Sequence, residues 1–458
     1  MKAVRYFSSL AQQFVREKPL LPEALRYERP TKIGGMKNGI RIISESWKSD
    51  LSTIGIMIDA GSRNEGKKSG IANLAGNLLL YGTKGKDANT LRKSFEDLGA
   101  NIEINVKRDN TWIEINVMTE YVEQVFKLLG EMLSESNFTE NSVSQAKKLA
   151  LEDCENSMSI PSYTLHENIH RTSFKDNPFG NFVKGNSKTI RDITKSEIVD
   201  FATNLYVGQN IILSTAGGID HDTISNLAEK YLWRIEKGQK AEVEPPNYSP
   251  NCIQCRTDDD TTYLAIAYPG PSIRQNQFIA FQLLEQLMSN PINLPYLDYP
   301  KQSNYLHSMF GQIGGLISHH CVLTNYSDCG LFIHFLECEP ISAPFLGSAV
   351  VKAMLQVTKE ISKEELLRAK NTFLNRLLLL EGSSQVAQLN ANQLRLLGSK
   401  RSRADVASSV VQYEAENLTK VYGPWLTSSF PVVGIYGKMV SENIAEIIYK
   451  DCGGGKEK

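Results

Sequence analysis

The sequence lacks an excess of charge of either sign. Its 458 residues carry 50 basic and 51 acidic side chains, which leaves a formal net charge of −1. A dedicated nucleic-acid binder normally shows a clear basic excess, and a disordered acidic chain shows the opposite excess. With 41% apolar residues and about 100–200 residues in a usual domain, the chain is expected to fold into two to four domains and to bind no nucleic acid.

Long apolar runs and a cysteine framework are also missing. A membrane-spanning helix needs about 18 or more consecutive apolar residues, whereas the densest runs, 77–81 and 377–380, end after a few positions. We therefore expect any attachment to a membrane to be peripheral and to come through partners. Seven cysteines, odd in number and irregular in spacing, do not form a disulfide framework and suit a reducing compartment.

Acidic residues are absent from the first 16 positions, which contain the basic residues Lys2, Arg5 and Arg16. On a helix, the apolar residues of this segment recur at steps of three and four and form one stripe. A basic, amphipathic and acid-poor start is typical of a mitochondrial transit peptide. Residues 1–25 are therefore predicted to be a mitochondrial targeting leader, and the alternative is an ordinary amphipathic N-terminal helix.

A Pro-rich, charged stretch at 236–260 is predicted to be a linker, because its composition resists both helix and sheet. The same order of elements occurs on either side of it, beginning with a strand, a turn and a helix. Thr139 and Ser362 are placed to cap corresponding long helices. We predict an α+β fold of two homologous domains, 35–235 and 261–450, each a mostly antiparallel sheet packed with helices, and a flexible tail at 451–458.

Six short motifs occur in the order in which a known family carries them. They are Ile58-Asp59-Ala60-Gly61-Ser62-Arg63, Gly82-Thr83-Lys84-Gly85, Leu98-Gly99-Ala100, Ala216-Gly217-Gly218, Thr324-Asn325-Tyr326-Ser327-Asp328 and Arg368-Ala369-Lys370-Asn371. In these motifs the sequence resembles the pitrilysin-type (M16) mitochondrial processing peptidase family, over both predicted domains. The resemblance implies the processing-peptidase (LuxS-like metallohydrolase) fold for each of them.

Active members of this family carry His-x-x-Glu-His on the helix after the Ala-Gly-Ser-Arg turn, with an acidic ligand further downstream. Two imidazoles on one helical face bind zinc, and the glutamate acts as general base toward the zinc-bound water. The matching positions here are Asn73, Gly76 and Asn77, and Asp153 matches the downstream position. A neutral amide is a weak zinc ligand, and glycine has no side chain that takes a proton. The resemblance therefore implies a degenerate site with no metal, no cofactor and no peptidase activity.

A second zinc signature competes with this interpretation. The stretch His166-Glu167-Asn168-Ile169-His170 spells His-Glu-x-x-His, a pattern in which two histidines one helical turn apart hold the metal. Pro161 marks a helix start, so both histidines are expected on one face. Because no strong third ligand follows, we expect a partly exposed helix with surface histidines. A zinc peptidase that uses His166, Glu167 and His170 is the alternative.

The family resemblance implies a non-catalytic core subunit of mitochondrial respiratory complex III, on the matrix side of the inner membrane. Its expected partners are a homologous core protein 2-like subunit and the cytochrome b, cytochrome c1 and Rieske subunits. The sequence shows no ligand set for haem, quinone or an iron–sulfur cluster, so the redox chemistry is assigned to those partners. The alternative is a non-catalytic or regulatory subunit of a soluble mitochondrial processing peptidase, whose cavity would hold a basic presequence for a catalytic partner.

Overall fold

The computed structural model describes residues 22–25, 28–289, 305–439 and 443–452. Most of the predicted leader and most of the predicted tail lie outside these ranges, so both remain predictions. Within the described ranges, no helix is both long and apolar enough to cross a membrane.

Among the described residues of the first half, six strands form a mixed sheet. They are β1 (Thr31–Gly35), β2 (Arg41–Ser46), β3 (Leu51–Ile58), β4 (Asn101–Val106), β5 (Thr111–Met118) and β6 (Ile211–Gly217). Their order across the sheet is β1-β2-β6-β3-β5-β4, and all neighbours run antiparallel except β2 and β6. Strand β3 is buried along nearly its whole length, which is expected for a strand that is covered on both faces.

In the part of the second half that the structure describes, five strands form a sheet. They are β7 (Cys252–Arg256), β8 (Thr262–Gly270), β9 (Leu316–Asn325), β10 (Gly330–Cys338) and β11 (Val432–Gly437). Their order is β7-β11-β8-β10-β9, with β7 and β11 parallel and the other neighbours antiparallel. This order repeats β2-β6-β3-β5-β4 of the first sheet strand by strand. The predicted α+β class, with two related and mostly antiparallel sheets, is confirmed.

The predicted linker at 236–260 requires a correction, because its last third contains strand β7. The strand runs parallel to β11, with Cys252 opposite Val433 and Arg256 opposite Gly437. Its pairing partner lies far downstream, so local composition gives no sign of it. Side chains alternate along a strand, so Cys252 and Cys255 point to opposite faces of the sheet, and both thiols are free.

Helices flank both sheets. In the first half they are α1 (Ile71–Leu78), α2 (Ala88–Glu96), α3 (Val122–Ser134), α4 (Glu140–Met158), α5 (Pro161–Ser173), α6 (Ser187–Asp192), α7 (Lys195–Leu205) and α8 (His221–Tyr231). In the second half they are α9 (Phe278–Met288), α10 (Tyr305–Ile313), α11 (Ala343–Val357), α12 (Lys363–Leu378), α13 (Ser383–Leu397), α14 (Arg403–Gln412), α15 (Ala415–Thr427) and α16 (Ile444–Asp451). The predicted caps are confirmed, because the side chain of Thr139 accepts a backbone N–H at the start of α4 and that of Ser362 does so at α12.

Each sheet buries one face against helices of its own half. In the first half, Ile54 and Ile56 of β3 lie in one apolar cluster with Leu74 of α1 and Phe126 of α3. In the second half, the corresponding cluster joins β8 to the helices α9 and α11. Alternating residues of each strand therefore fill a separate core in each half.

The opposite face of each sheet is covered by a helix from the other half. Helix α13 lies on the first sheet, and helix α5 lies on the second sheet. The α13 contacts are Val386, Ala387, Ala391 and Leu394 against Ile43, Met57, Trp112, Ile212 and Ala216. The α5 contacts are Leu165 and Ile169 against Ala265, Ala267, Leu331, Ile333 and Val432. The two halves are therefore held together by apolar contacts on both sheets, and a cavity lined by residues of both halves lies between them.

Candidate functional site

Helix α1 presents three of the predicted site positions. It begins after Gly70, whose φ of 103° lies in the left-handed region that glycine adopts without strain. The buried carboxylate of Glu65 accepts the N–H of Gly70 at 3.0 Å and that of Ala72 at 2.7 Å. Burial raises the pKa of Glu65 well above its ordinary value, although these N–H groups and Arg108 act to lower it. Glu65 therefore anchors the start of the helix.

The two asparagines of α1 bond to each other. The Nδ2 of Asn77 donates to Oδ1 of Asn73 over 3.1 Å, as expected for residues four apart on one helical face. At the position of the general base, a Cβ built on Gly76 would lie 2.7 Å from Cγ2 of Val106. A side chain there would require Val106 to move. This helix face offers two linked neutral amides and no group that takes a proton from water.

Asp153 on α4 lies in the wall of the same cavity as Asn73 and Asn77. Its Oδ1 accepts a hydrogen bond from Nζ of Lys184 at 2.8 Å, and the same ammonium donates to Ser157. A carboxylate bonded to an ammonium has its charge compensated without a metal. Lys184 therefore supplies the positive charge beside the one acidic residue among the four predicted positions.

The cavity encloses about 760 Å³ between the two halves, a volume within the roughly 300–1,000 Å³ of ligand pockets. One wall is the end of strand β4, which lies at the edge of the first sheet and, among the described residues, pairs with β5 alone. The polar lining is rich in amides and contains charges of both signs. It consists of Asn73, Asn77, Asn105, Lys107, Arg108, Asp109, Asn110, Asp153, Tyr163, His166, Glu167, Lys184, Asn325, Tyr326, Asn392 and Arg395.

Glu167 of the second zinc signature is bonded to other protein groups through both carboxylate oxygens. Its Oε1 accepts from the Arg108 guanidinium at 2.7 Å and its Oε2 from the N–H of Val183 at 2.9 Å. Both charged side chains are almost fully buried. Burial acts to raise the pKa of Glu167, but Arg108 above all lowers it below its ordinary value. The carboxylate is thus an ionised partner of Arg108.

His170 corrects the expectation of surface histidines, because its side chain is completely buried. Its Nδ1 lies 2.9 Å from the carbonyl oxygen of His166, and its Nε2 lies 2.8 Å from the hydroxyl of Tyr326. A carbonyl only accepts, so Nδ1 carries the proton and Nε2 accepts from Tyr326. Burial lowers the pKa of His170 well below its ordinary value, and Arg108 adds to this. Helix α5 is buried because it packs on the second sheet, which local sequence does not reveal.

Every carboxylate in the cavity wall is paired with a cation. The pairs are Asp109 with Arg395 at 2.7 Å, Asp153 with Lys184 at 2.8 Å, and Glu167 with Arg108 at 2.7 Å. Lys107 is the remaining charged residue of the lining. Within the described residues its ammonium makes no close ion pair or hydrogen bond, but the nearby Asp109 carboxylate acts on it electrostatically. Across the same described ranges, no group of three or more His, Cys, Asp or Glu side chains is arranged to hold a metal ion.

Residues 41–186 match the insulinase (peptidase family M16) model, and residues 192–373 match the peptidase M16 inactive domain model. The chain belongs to the M16 peptidase family.

Relatives of two kinds resemble this M16 chain to a similar degree. Cytochrome b-c1 complex subunit 1 of Mus musculus is 23% identical over 91% of this chain and 88% of its own length. The processing peptidase subunit beta of Bos taurus is 22% identical over 89% of this chain and 84% of its own length. A chain of complex III2 from Candida albicans, solved with Inz-5 bound, has a TM-score of 0.80 at 17% identity, covering 92% of this chain and 99% of that one. At that identity the structural likeness establishes the fold alone.

The M16 motif positions were found from sequence, but their surroundings were not. Asn73, Asn77 and Asp153 line one cavity, which agrees with the positions that the family resemblance implies, whereas Gly76 faces Val106. Lys184 was missed, because it pairs with a residue 31 positions earlier in the chain. No local pattern marks such a contact.

Proposed function

We propose that this chain is a non-catalytic, core protein 1-like subunit of mitochondrial respiratory complex III. The observation that carries the absence of catalysis is the Asn73–Asn77 amide pair beside Gly76. Zinc catalysis needs strong imidazole, thiolate or carboxylate ligands and a base near the bound water. Neither the amide pair nor the Lys184-bound Asp153 supplies them.

The assignment to complex III is supported by the relatives. Cytochrome b-c1 complex subunit 1 matches over 91% of this chain, and a chain of a complex III structure shares the fold. By this proposal the protein acts as a scaffold on the matrix side of the inner membrane. It pairs with a core protein 2-like subunit and supports the cytochrome b, cytochrome c1 and Rieske subunits, which carry the redox chemistry.

The second candidate is a non-catalytic or regulatory subunit of a processing peptidase, which the bovine beta-subunit relative favours. A basic presequence would need free carboxylates in the cavity. All three carboxylates of the wall are already bonded to cations, and Lys107 would repel a basic segment. The charge distribution therefore favours the complex III candidate.

The decisive experiment is to isolate the tagged full-length chain from mitochondria in mild detergent and identify the proteins that migrate with it on a native gel. We expect cytochrome b, cytochrome c1, the Rieske protein and a core protein 2-like chain. The N73A/N77A variant should assemble to the same extent, because the site does no chemistry. Recovery as a soluble heterodimer without cytochrome b would overturn the proposal in favour of the second candidate.

A further inference from the structure

A short segment that precedes the first strand lies on the second half of the molecule. Residues Glu23–Leu25 form a single helical turn, in which the N–H of Leu25 donates to the carbonyl of Pro22 at 3.0 Å. The Leu25 side chain is 1% exposed and packs with Leu374 of α12 and Ala407 of α14. The last residue of the predicted leader is therefore part of an apolar cluster of the folded chain.

The same segment is bound at a second point, the start of α14. The carboxylate of Glu28 accepts the backbone N–H of Arg403, the first residue of that helix. The first N–H groups of a helix have no acceptor within it, and a negative charge is favourable at this end. Ser402 accepts a further one, that of Asp405. Glu28 therefore caps α14 from outside the helix.

The chain then crosses to the first half. The Arg29 guanidinium lies 4.2 Å from the centre of the Trp47 ring, a cation–π contact, and β1 begins at Thr31. The ammonium of Lys400, from the loop between α13 and α14, donates to the hydroxyl of Thr31 at 2.6 Å and also to Glu45 of β2. Contacts on both halves thus follow one another within a few residues.

We call residues 22–25 and 28–29 the clasp, because they join α12 and α14 to the first sheet. Loss of Leu25 would expose the apolar surface of Leu374 and Ala407 to water. A leader that ended at residue 25 would take this contact with it on removal. The acid-free basic stretch that predicts the leader ends before Glu17, so the targeting signal and the clasp do not overlap in sequence.

We propose that the leader is removed by hydrolysis of one peptide bond between Arg16 and Pro22, and that the mature chain keeps the clasp. A processing endopeptidase breaks the C–N bond, and water supplies a hydroxyl to the new carboxyl end and a hydrogen to the new amino end. This inference rests on the proposed function, because it requires import into mitochondria. It places the end of the leader before Pro22 instead of at residue 25.

The first test identifies the amino terminus of the mature chain. The full-length chain, tagged at its C-terminus, is isolated from mitochondria in its assembly, and its free amino group is labelled and located by mass spectrometry. We expect a new terminus at one of residues 17–22, with Leu25 retained. A chain that begins after Pro22, or one that still begins at Met1, would overturn the inference.

The second test asks whether the retained segment holds the second half. In the full-length chain, L25A should accelerate hydrogen exchange of the backbone amides in α12 and α14 by about tenfold, because the helices lose a buried leucine contact. E28A should accelerate exchange in the first turn of α14 alone. The matched control is L149A, because Leu149 on α4 is 54% exposed; it should leave exchange in α12 and α14 unchanged.

Unchanged exchange in α12 and α14 of L25A, or an equal acceleration in L149A, would contradict the role of the clasp. The exchange measurement uses the purified chain and does not depend on its partners. The proposed function fails if the chain does not migrate with cytochrome b. If it does so but begins outside residues 17–22, this inference alone fails, so the two failures are distinguishable.

Discussion

Buried charges around the cavity are stable only as pairs. Arg108 and Glu167 have side chains that are 2% and 3% exposed, so neither is hydrated by bulk water. Both residues line the cavity. Changes at this pair are therefore expected to affect stability far more than changes at an exposed charge.

Replacing Arg108 by methionine should destabilise the fold by about 3–5 kcal/mol, because Glu167 would be left buried without a counter-charge. Urea denaturation of the variant and of K359Q, an exposed control, measures the difference. If the free energy of unfolding fell as little as it does in K359Q, Glu167 would have another counter-charge or be hydrated when Arg108 is removed.

Buried histidines of the second half predict an acid-sensitive fold. Burial, with a smaller effect of Arg368, lowers the pKa of His307 to about 4. Burial, with smaller effects of His307 and His320, lowers that of His334 to about 3. The unfolded chain binds protons at these histidines below a pH of about 6.5, whereas the folded chain does not. Stability is therefore full above that pH and falls as pH decreases toward 4 and 3.

The variant H334Q isolates one histidine of this pair. Its unfolding free energy should fall less steeply than that of the parent between pH 6.5 and 4. Chemical denaturation at a series of pH values measures both slopes. Identical slopes would mean that His334 does not contribute, and the acid effect would then come from His307 and other titrating groups.

Single positions of the candidate site could be found from sequence only where a motif fixes the spacing. Asn73, Gly76 and Asn77 follow from such a motif, and Asp153 follows from the family resemblance at a position further downstream. The contact of Gly76 with Val106, the ammonium of Lys184 and the burial of His170 depend on chain segments that meet only in the fold. The composition of a segment carries no information about which partner it will meet.

Elements whose signals are local were predicted well. The caps of α4 and α12 follow from a hydroxyl at the right spacing, and strands β3 and β8 follow from their runs of apolar residues. Strand β7 was missed because it pairs with β11, which lies far downstream in the chain. Residues 252–256 form a strand through the backbone hydrogen bonds of that pairing. Its residues are mostly half-buried or exposed, so they lack the apolar pattern of a core strand.

The packing of α1 on β4 predicts a coupled pair of substitutions. Gly76→Ala adds a Cβ 2.7 Å from Val106. This overpacking should cost about 1–3 kcal/mol, offset in part by the gain in helix propensity, about 1 kcal/mol. In the double variant, Val106→Ala removes the methyl group that the new Cβ would contact. The destabilisation of the double variant should therefore be smaller than the sum of those of the two single variants.

Urea denaturation of the two single variants and the double variant gives the coupling. Gly66→Ala is the control, because a Cβ there meets nothing within 4 Å and should change stability little. Strict additivity of Gly76→Ala and Val106→Ala would contradict the contact.

At the scale of the whole molecule, the exchange of α5 and α13 makes each half depend on the other. Without its partner, each half would expose the apolar face that the exchanged helix covers. We expect fragments 1–250 and 251–458 to aggregate when expressed alone, and to form a soluble complex when expressed together. Size-exclusion chromatography and circular dichroism check this. Two fragments that fold separately would contradict the interlocked arrangement.

We propose above that the M16 site on α1 performs no chemistry. The most direct measurement combines the zinc content of the purified full-length chain with its hydrolysis of a presequence peptide in added zinc. We expect no stoichiometric zinc on this helix and no cleavage of the peptide. The N73A/N77A variant should have the same zinc content and the same lack of hydrolysis as the parent. Stoichiometric zinc and peptide turnover that are both lost in N73A/N77A would contradict it.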